Sequence, residues 1–356
     1  MNKLVCILVC LLLLTACHDD ENTRQPETTT LWQDVTVAVV LPMHDGLDQQ
    51  WRQTLELCAN NMEHACKGLE QGIRLHYEWY DEDSKELQQI ATQLAHREDV
   101  TAVIGGFYSS NAEQLASVLS RNDKPFFTTA TTEQLVRGYS AWGNLWAMAE
   151  TDITQCEVLL TKVAMRGAKT VALVVKDENL YGRTFKDWFG FQAEELGLQT
   201  RGIFTYVDQP AKASAAAFAS GADYVICVPS GVEELGVLLR TYQQVEGTQR
   251  PRLLFSDTAH GADVINQLGM LTEGIEGVFF GSDPETGFDV SFETYFDQQP
   301  TSGAAQVYDA AMLIGYASFS QLLSPDLSFR EAVRMVVDGR DLTMGSWMSG
   351  DMQLNL

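Results

Sequence analysis

Two short stretches of this 356-residue chain set small hydroxyl side chains where backbone N–H groups also collect. Ser109 and Ser110 follow the apolar run Val100 to Ile104 and the pair Gly105-Gly106; Ala130, Thr131 and Thr132 follow Phe126 to Thr129. The first run is β-branched and short, as expected of a strand buried on both faces. Its two glycines let the backbone turn, and Ser109 or Ser110 is placed to cap a helix starting near Asn111. Hydroxyls together with N–H groups at helix N-termini suit a carboxylate or a similar small anion. Ser and Thr also favour ordinary caps and turns, so these residues alone leave both roles open.

The surrounding elements decide whether the two turns meet. Parallel strands joined by a right-handed helical crossover put both turns on one sheet edge, the carboxyl edge at which open α/β sheets bind ligands. Val35 to Leu41 reads as a first strand, followed by a helix to about Glu63, a strand over Ile73 to Tyr80 and the acidic triplet Asp81-Glu82-Asp83. A helix from about Ser84 to Arg97 then aligns Leu87, Ile90, Ala91 and Leu94 on one face. This βαβαβαβ order predicts a doubly wound parallel sheet. The pattern restarts with a helix over Thr151 to Arg166 and a strand over Thr170 to Lys176, and runs through further strands at Asp223 to Val228 and Arg252 to Phe255 to the turn Ser256-Asp257-Thr258. Gly277 to Gly281 reads as one more strand, Ala304 to Leu323 as a long apolar-faced helix, Phe329 to Val337 as a shorter one, and residues 344–356 as a turn and a final strand.

Acidic residues outnumber basic ones 48 to 24, which argues against a nucleic-acid partner, since that would need a basic face. No G-x-S-x-G, H-E-x-x-H, Walker loop or G-x-G-x-x-G occurs, so the motifs of common enzyme classes are missing and no cofactor is expected. His64 beside Cys58 and Cys66 lacks a fourth ligand at zinc spacing, so no metal is expected either. On one straight helix those two cysteines would stand about 12 Å apart, too far for a disulfide. Cys227 reads as a small core residue of its strand.

The first seventeen residues read as an address. Lys3 precedes an apolar run, Leu4 to Leu14, too short to span a bilayer as a stable helix. Leu14-Thr15-Ala16-Cys17 resembles a bacterial lipobox, which implies cleavage before Cys17, lipid on its sulfur and the membrane as a partner through that anchor. His18-Asp19-Asp20-Glu21 resembles, more weakly, the surface-export signal of Bacteroidetes lipoproteins, and residues 18–34 read as a flexible tether.

Five strings, taken in order, carry a further resemblance: VTVAVVLPM, YDEDSKELQQIATQLAHREDVTAVIGGFYSS, FFTTATTEQLVRGY, KDENLYGRTF and AAQVYDAAMLIGYA. Over residues 35–356 the chain resembles a type I periplasmic binding protein, the class of the leucine/isoleucine/valine-binding protein. The resemblance implies an α/β architecture of two doubly wound parallel-sheet lobes joined by three crossovers, near Asn144 to Glu150, Glu276 to Ser282 and Ser346 to Gly350. The first lobe would comprise residues 35–147 and 277–347, the second 148–276 and 348–356. Position by position, Ser109, with Ser110 adjacent, and the turn Ala130, Thr131, Thr132 would hold a ligand carboxylate. The chain is one residue shorter before Arg137, so which threonine corresponds stays open. Tyr181 would join them from the second lobe, and Asp257 would meet the ligand ammonium. Helix packing and N-capping are the alternative roles of Tyr181 and Asp257. Trp51 and Tyr108 are candidates for the pocket wall, or for the core. An aromatic residue expected after Asp223 to Val228 is replaced by Pro229-Ser230-Gly231. The function so implied is capture of an amino acid or similar small polar ligand, outside the cytoplasm and on a lipid anchor, for an ABC-type permease. The alternative is a sensing or partner-contacting receptor module of the same fold.

Overall fold

Aliphatic, β-branched runs ended by glycine and small polar turns build two separate parallel sheets. The computed structural model describes residues 29–44, 47–246 and 250–338. The expected signal segment with Cys17, the expected third crossover and the expected final strand lie outside the described residues.

The first lobe runs β1 (Leu31–Leu41), α1 (Leu47–Cys66), β2 (Gln71–Asp81), α2 (Leu87–His96), β3 (Val100–Gly105), α3 (Ser109–Leu119), β4 (Phe126–Thr128), α4 (Glu133–Tyr139) and β5 (Leu145–Ala147). Its strands are parallel, in the order β2-β1-β3-β4-β5. Side chains alternate between two cores. Val37, Val39 and Leu41 pack with Trp51 and Leu55 of α1, while Ala38 and Val40 pack with Leu94 of α2 and Leu115 of α3. Coverage of both faces is what makes β1 a continuous apolar run. The order turns back between β1 and β3, which leaves a crevice at their carboxyl ends.

The strand is longer than its apolar core suggests. Residues Leu31 to Asp34 pair with Gln71 to Arg74, so the last four residues of the expected tether belong to the sheet. There the Arg74 guanidinium lies 4.5 Å from the Trp32 ring. β5 is an element the pattern did not show, since three residues carry no period. It is held by Phe127 stacked on Trp146, ring centroids 4.8 Å apart.

The second lobe runs α5 (Asp152–Met165), β6 (Thr170–Lys176), α6 (Leu180–Glu195), β7 (Gln199–Tyr206), α7 (Pro210–Phe218), β8 (Tyr224–Val228), α8 (Val232–Gln243), β9 (Arg252–Phe255) and α9 (Ala262–Leu268). Its parallel sheet has the order β7-β6-β8-β9. The strand expected at Gly277 to Gly281 does not form. Only Gly277 bridges to Phe255, and Phe279 then leaves the sheet to stack on His260 at 3.7 Å. The chain returns to the first lobe as α10 (Phe288–Phe296), α11 (Ala304–Leu323) and α12 (Phe329–Asp338). Phe292, Val307 and Ile314 join the core that holds Val37 and Trp51. α11 is buried on every side from Ala304 to Ser320, so it is a core helix rather than an amphipathic cover. Among the described residues no helix is long and apolar enough to cross a membrane. Cys58 and Cys66 both lie on α1 and both are free and buried, as is Cys227 in β8.

Candidate ligand-binding site

The first half of the site begins where β3 ends. Gly105 has φ +153, and a Cβ there would lie 2.0 Å from the Val40 carbonyl oxygen, so only glycine lets this end of β3 lie against β1. α3 then starts at Ser109, two residues earlier than expected, with Tyr108 at the N-cap and no side-chain cap. Glu82, just past β2, does the capping instead. Its Oε2 accepts the Phe107 N–H at 2.7 Å, and its Oε1 accepts the Tyr108 N–H at 2.8 Å and the Asn111 amide at 3.3 Å. Glu82 is 1% exposed. Burial pushes its carboxyl up to about 8, against the opposing pull of those donors. With the cap supplied by Glu82, the Ser109 and Ser110 hydroxyls make no hydrogen bond among the described residues. The Tyr108 carbonyl accepts the Asn111 N–H at 3.0 Å and the Ala112 N–H at 2.9 Å, which leaves the Ser109 and Ser110 N–H groups without a partner among the described residues, and both serines line the cavity described below.

The second turn is tied into the chain reversal that follows it. Thr128 Oγ1 donates to the Ala130 carbonyl at 3.0 Å and accepts the Ala130 N–H at 3.1 Å. Thr131 Oγ1 donates to the Glu150 carbonyl at 2.7 Å, and the Thr131 carbonyl accepts the Asp152 N–H at 3.3 Å. The Thr131 hydroxyl is therefore already engaged. Thr132 does not line the cavity. It stands at the N-cap of α4, 0% exposed, with its hydroxyl buried and unpartnered. Trp51 also falls outside the wall. It is 0% exposed and packs on Phe107, centroids 5.3 Å apart, so Phe107 and Tyr108 face the cavity and Trp51 lies behind them.

The second half is set by α5, α6 and the end of β9. Asn179 Oδ1 caps α6 by accepting the Gly182 N–H at 2.8 Å, which fixes Tyr181 in the first turn. The Tyr181 hydroxyl donates to Asp257 Oδ1. Gln155 Oε1 accepts from the Asp257 N–H at 3.2 Å and lies 3.4 Å from the Tyr181 hydroxyl. Asp152 stands one turn before Gln155 on α5, a spacing that puts the two on one helix face. It is 3% exposed, lines the cavity and keeps Oδ2 without a partner. Burial raises the carboxyls of both aspartates above the usual range. The Asp257 charge pushes Asp152 further up, while Tyr181 and Gln155 hold Asp257 back. Asp152 and Gln155 were not singled out from sequence; the Asp-x-x-Gln spacing directly after a crossover was the available signal.

Between the lobes these groups line one cavity of about 550 Å³. Tyr108, Ser109, Ser110, Ala130 and Thr131 line it from the first lobe, and Asp152, Tyr181 and Asp257 from the second. Ser230 and Gly231 also line it where an aromatic was expected, and Ser230 Oγ accepts from Asn179 Nδ2 at 2.7 Å, so this wall is small and polar. Among the described residues no group of three or more His, Cys, Asp or Glu could hold a metal ion.

Two crossed lobes with a lined cleft match a known family, whose profile, that of a periplasmic binding protein, covers residues 34–318. The chain belongs to the periplasmic binding protein family. Solved structures agree in fold. One is a leucine-binding protein, LivK, from Thermotoga maritima, with 21% identity, a TM-score of 0.70, and 84% of this chain and 85% of that one covered. Another is the branched-chain amino acid transporter substrate-binding protein LivJ from Streptococcus pneumoniae, solved with isoleucine: 15% identity, TM-score 0.67, coverage 85% and 87%. A third is an ABC-transporter solute-binding protein from R. palustris, solved with benzoate: 15% identity, TM-score 0.67, coverage 85% and 84%. A search of curated proteins returned no significant match. At these identities the structures speak for the type I periplasmic binding protein fold, and the residues of the cleft must speak for the ligand.

Proposed function

We propose that the chain is a lipid-anchored, extracytoplasmic solute-binding protein that captures an amino acid and presents it to an ABC-type permease, without catalysis. The observation that carries this reading is the opposite character of the two half-sites facing one cavity. The free hydroxyls of Ser109 and Ser110, the open N–H groups at the start of α3 and the main chain at Thr131 form a donor cradle for a carboxylate. Asp257, steadied by Tyr181, is the acceptor for an ammonium. Hydrogen bonds to charged groups contribute about 1.5–3 kcal/mol each. Four or five such bonds supply the roughly 8 kcal/mol of a micromolar site after ordering costs. Because each charge of the zwitterion is held by a different lobe, the ligand favours the closed arrangement. Family members solved with isoleucine and with benzoate share the carboxylate that this cradle would take.

A thermal-shift screen tests the reading, since a ligand binding only the folded state raises the melting midpoint. Amino acids are expected to raise it and neutral sugars to leave it unchanged; the absence of a shift with every amino acid would refute the reading. The anchor has its own test. Cys17→Ser is expected to move the protein from the membrane to the soluble fraction, and membrane fractionation of that variant would disprove lipidation at Cys17.

A further inference from the structure

The cleft holds more negative charge than a neutral amino acid needs. Building on the amino-acid reading above, we propose that the ligand is a basic amino acid, whose second positive charge is matched by Asp152. One carboxylate answers the α-ammonium, and Asp257 already fills that place, with its hydrogen bonds from Tyr181 and its turn held by Gln155. Asp152 is a second carboxylate, nearly closed to solvent, lining the same cavity with Oδ2 unpartnered. Two neighbouring buried carboxylates do not both ionise unless a cation joins them.

Among the described residues no side chain of the cleft supplies that cation. Lys176 lines the cavity, but its Nζ is bound to Glu234 Oε1 at 2.8 Å. His260 lies flat on Phe279, and burial pulls its pKa down against the charges of Asp257 and Asp263. Asp263 adds another carboxylate to the wall, as does Asp83, whose Oδ2 lies 3.0 Å from His44 Nε2. The donors of the first lobe are hydroxyls and helix N–H groups, which are dipoles and carry no net charge. A zwitterion would leave this balance acidic, whereas a basic amino acid brings one positive charge more. At longer range, the net charge of −24 concentrates cations at the surface of the molecule.

Calorimetric titration with lysine, arginine, leucine and isoleucine, on the wild type and on Asp152→Asn, tests the proposal. Lysine or arginine is expected to bind at least tenfold more tightly than leucine or isoleucine. Asp152→Asn is expected to bring that preference close to parity while leaving the melting temperature of the empty protein unchanged or higher. Leucine or isoleucine binding as tightly as lysine and arginine, or a preference that Asp152→Asn leaves intact, overturns the basic ligand and leaves the amino-acid reading standing. Failure of all four to bind overturns the basic ligand, and the amino-acid reading falls with it only if every amino acid also fails in the thermal-shift screen.

Discussion

Asp257→Ala is expected to lower amino-acid affinity by at least a hundredfold in calorimetry, with the melting temperature of the empty protein nearly unchanged. The ligand ammonium would then enter a buried site stripped of its principal counter-charge. Breaking a buried ion pair on one side costs about 3–5 kcal/mol, which is roughly a few hundred- to a few thousandfold in affinity. The empty protein is spared because the Asp257 carboxylate is itself disfavoured by burial, so its removal also relieves a cost. The Tyr181 hydroxyl, which loses its acceptor, still has Gln155 Oε1 at 3.4 Å. Asp257→Asn keeps an acceptor for Tyr181 and removes the charge, so it should lose most of the same affinity. Unchanged binding in both variants would place the ammonium elsewhere.

The second large effect is on stability. Glu82→Ala would leave the Phe107 and Tyr108 N–H groups without the acceptors they meet at 2.7 and 2.8 Å. A buried donor left unsatisfied costs about 1–3 kcal/mol, so the pair should cost about 2–5 kcal/mol. At about 2–4 °C per kcal/mol for a domain of 150–250 residues, the melting temperature should fall by roughly 4–20 °C. A fall of less than 2 °C would show that the start of α3 does not depend on Glu82. The same carboxyl sets a pH dependence. Its folded pKa, raised by burial to about 8, lies above the unfolded value near 4.3. Between these values the folded state holds a proton that the unfolded state has released. Stability therefore falls as pH rises through this window and levels off above it. The raised carboxyls of Asp152 and Asp257 add in the same direction. Glu82→Gln, measured by denaturant titration at pH 5, 6.5 and 8, should show a shallower fall than the wild type. An identical slope would remove Glu82 from the account.

The fold was legible because its strands are buried on both faces. Val35 to Leu41 and Thr170 to Lys176 need no partner to be recognised, since a covered parallel strand is apolar throughout. Gly277 to Gly281 misleads for the same reason. Its composition is that of a strand, yet Phe279 spends its ring on His260, a contact no local pattern announces. At the site, Tyr181, expected from the string KDENLYGRTF, and Asp257, expected from the turn after β9, both line the cavity. Thr132 and Trp51 were over-read, because a turn or helix does not declare which of its neighbours points into a cleft and which into a core. Glu82 and Asp152 were under-read. An aspartate in a first helical turn looks like a dipole partner, and a glutamate between two aspartates looks like a solvated loop. Only the meeting of distant elements takes both out of water.

One local arrangement bears on what the cleft can measure. Thr131 lines the cavity, yet its hydroxyl and its carbonyl both grip the segment, Glu150 to Asp152, that carries the chain into the other lobe. A hinge at this crossover would run beside the cavity rather than far beneath it. Were the lobes to rotate about it, points on the outer rims would sweep wide arcs and points next to the axis would hardly move. The span from Thr131 to Asp152, tied by a backbone hydrogen bond, would then keep its length at any degree of closure, a fixed gauge at the centre with a lever at each edge.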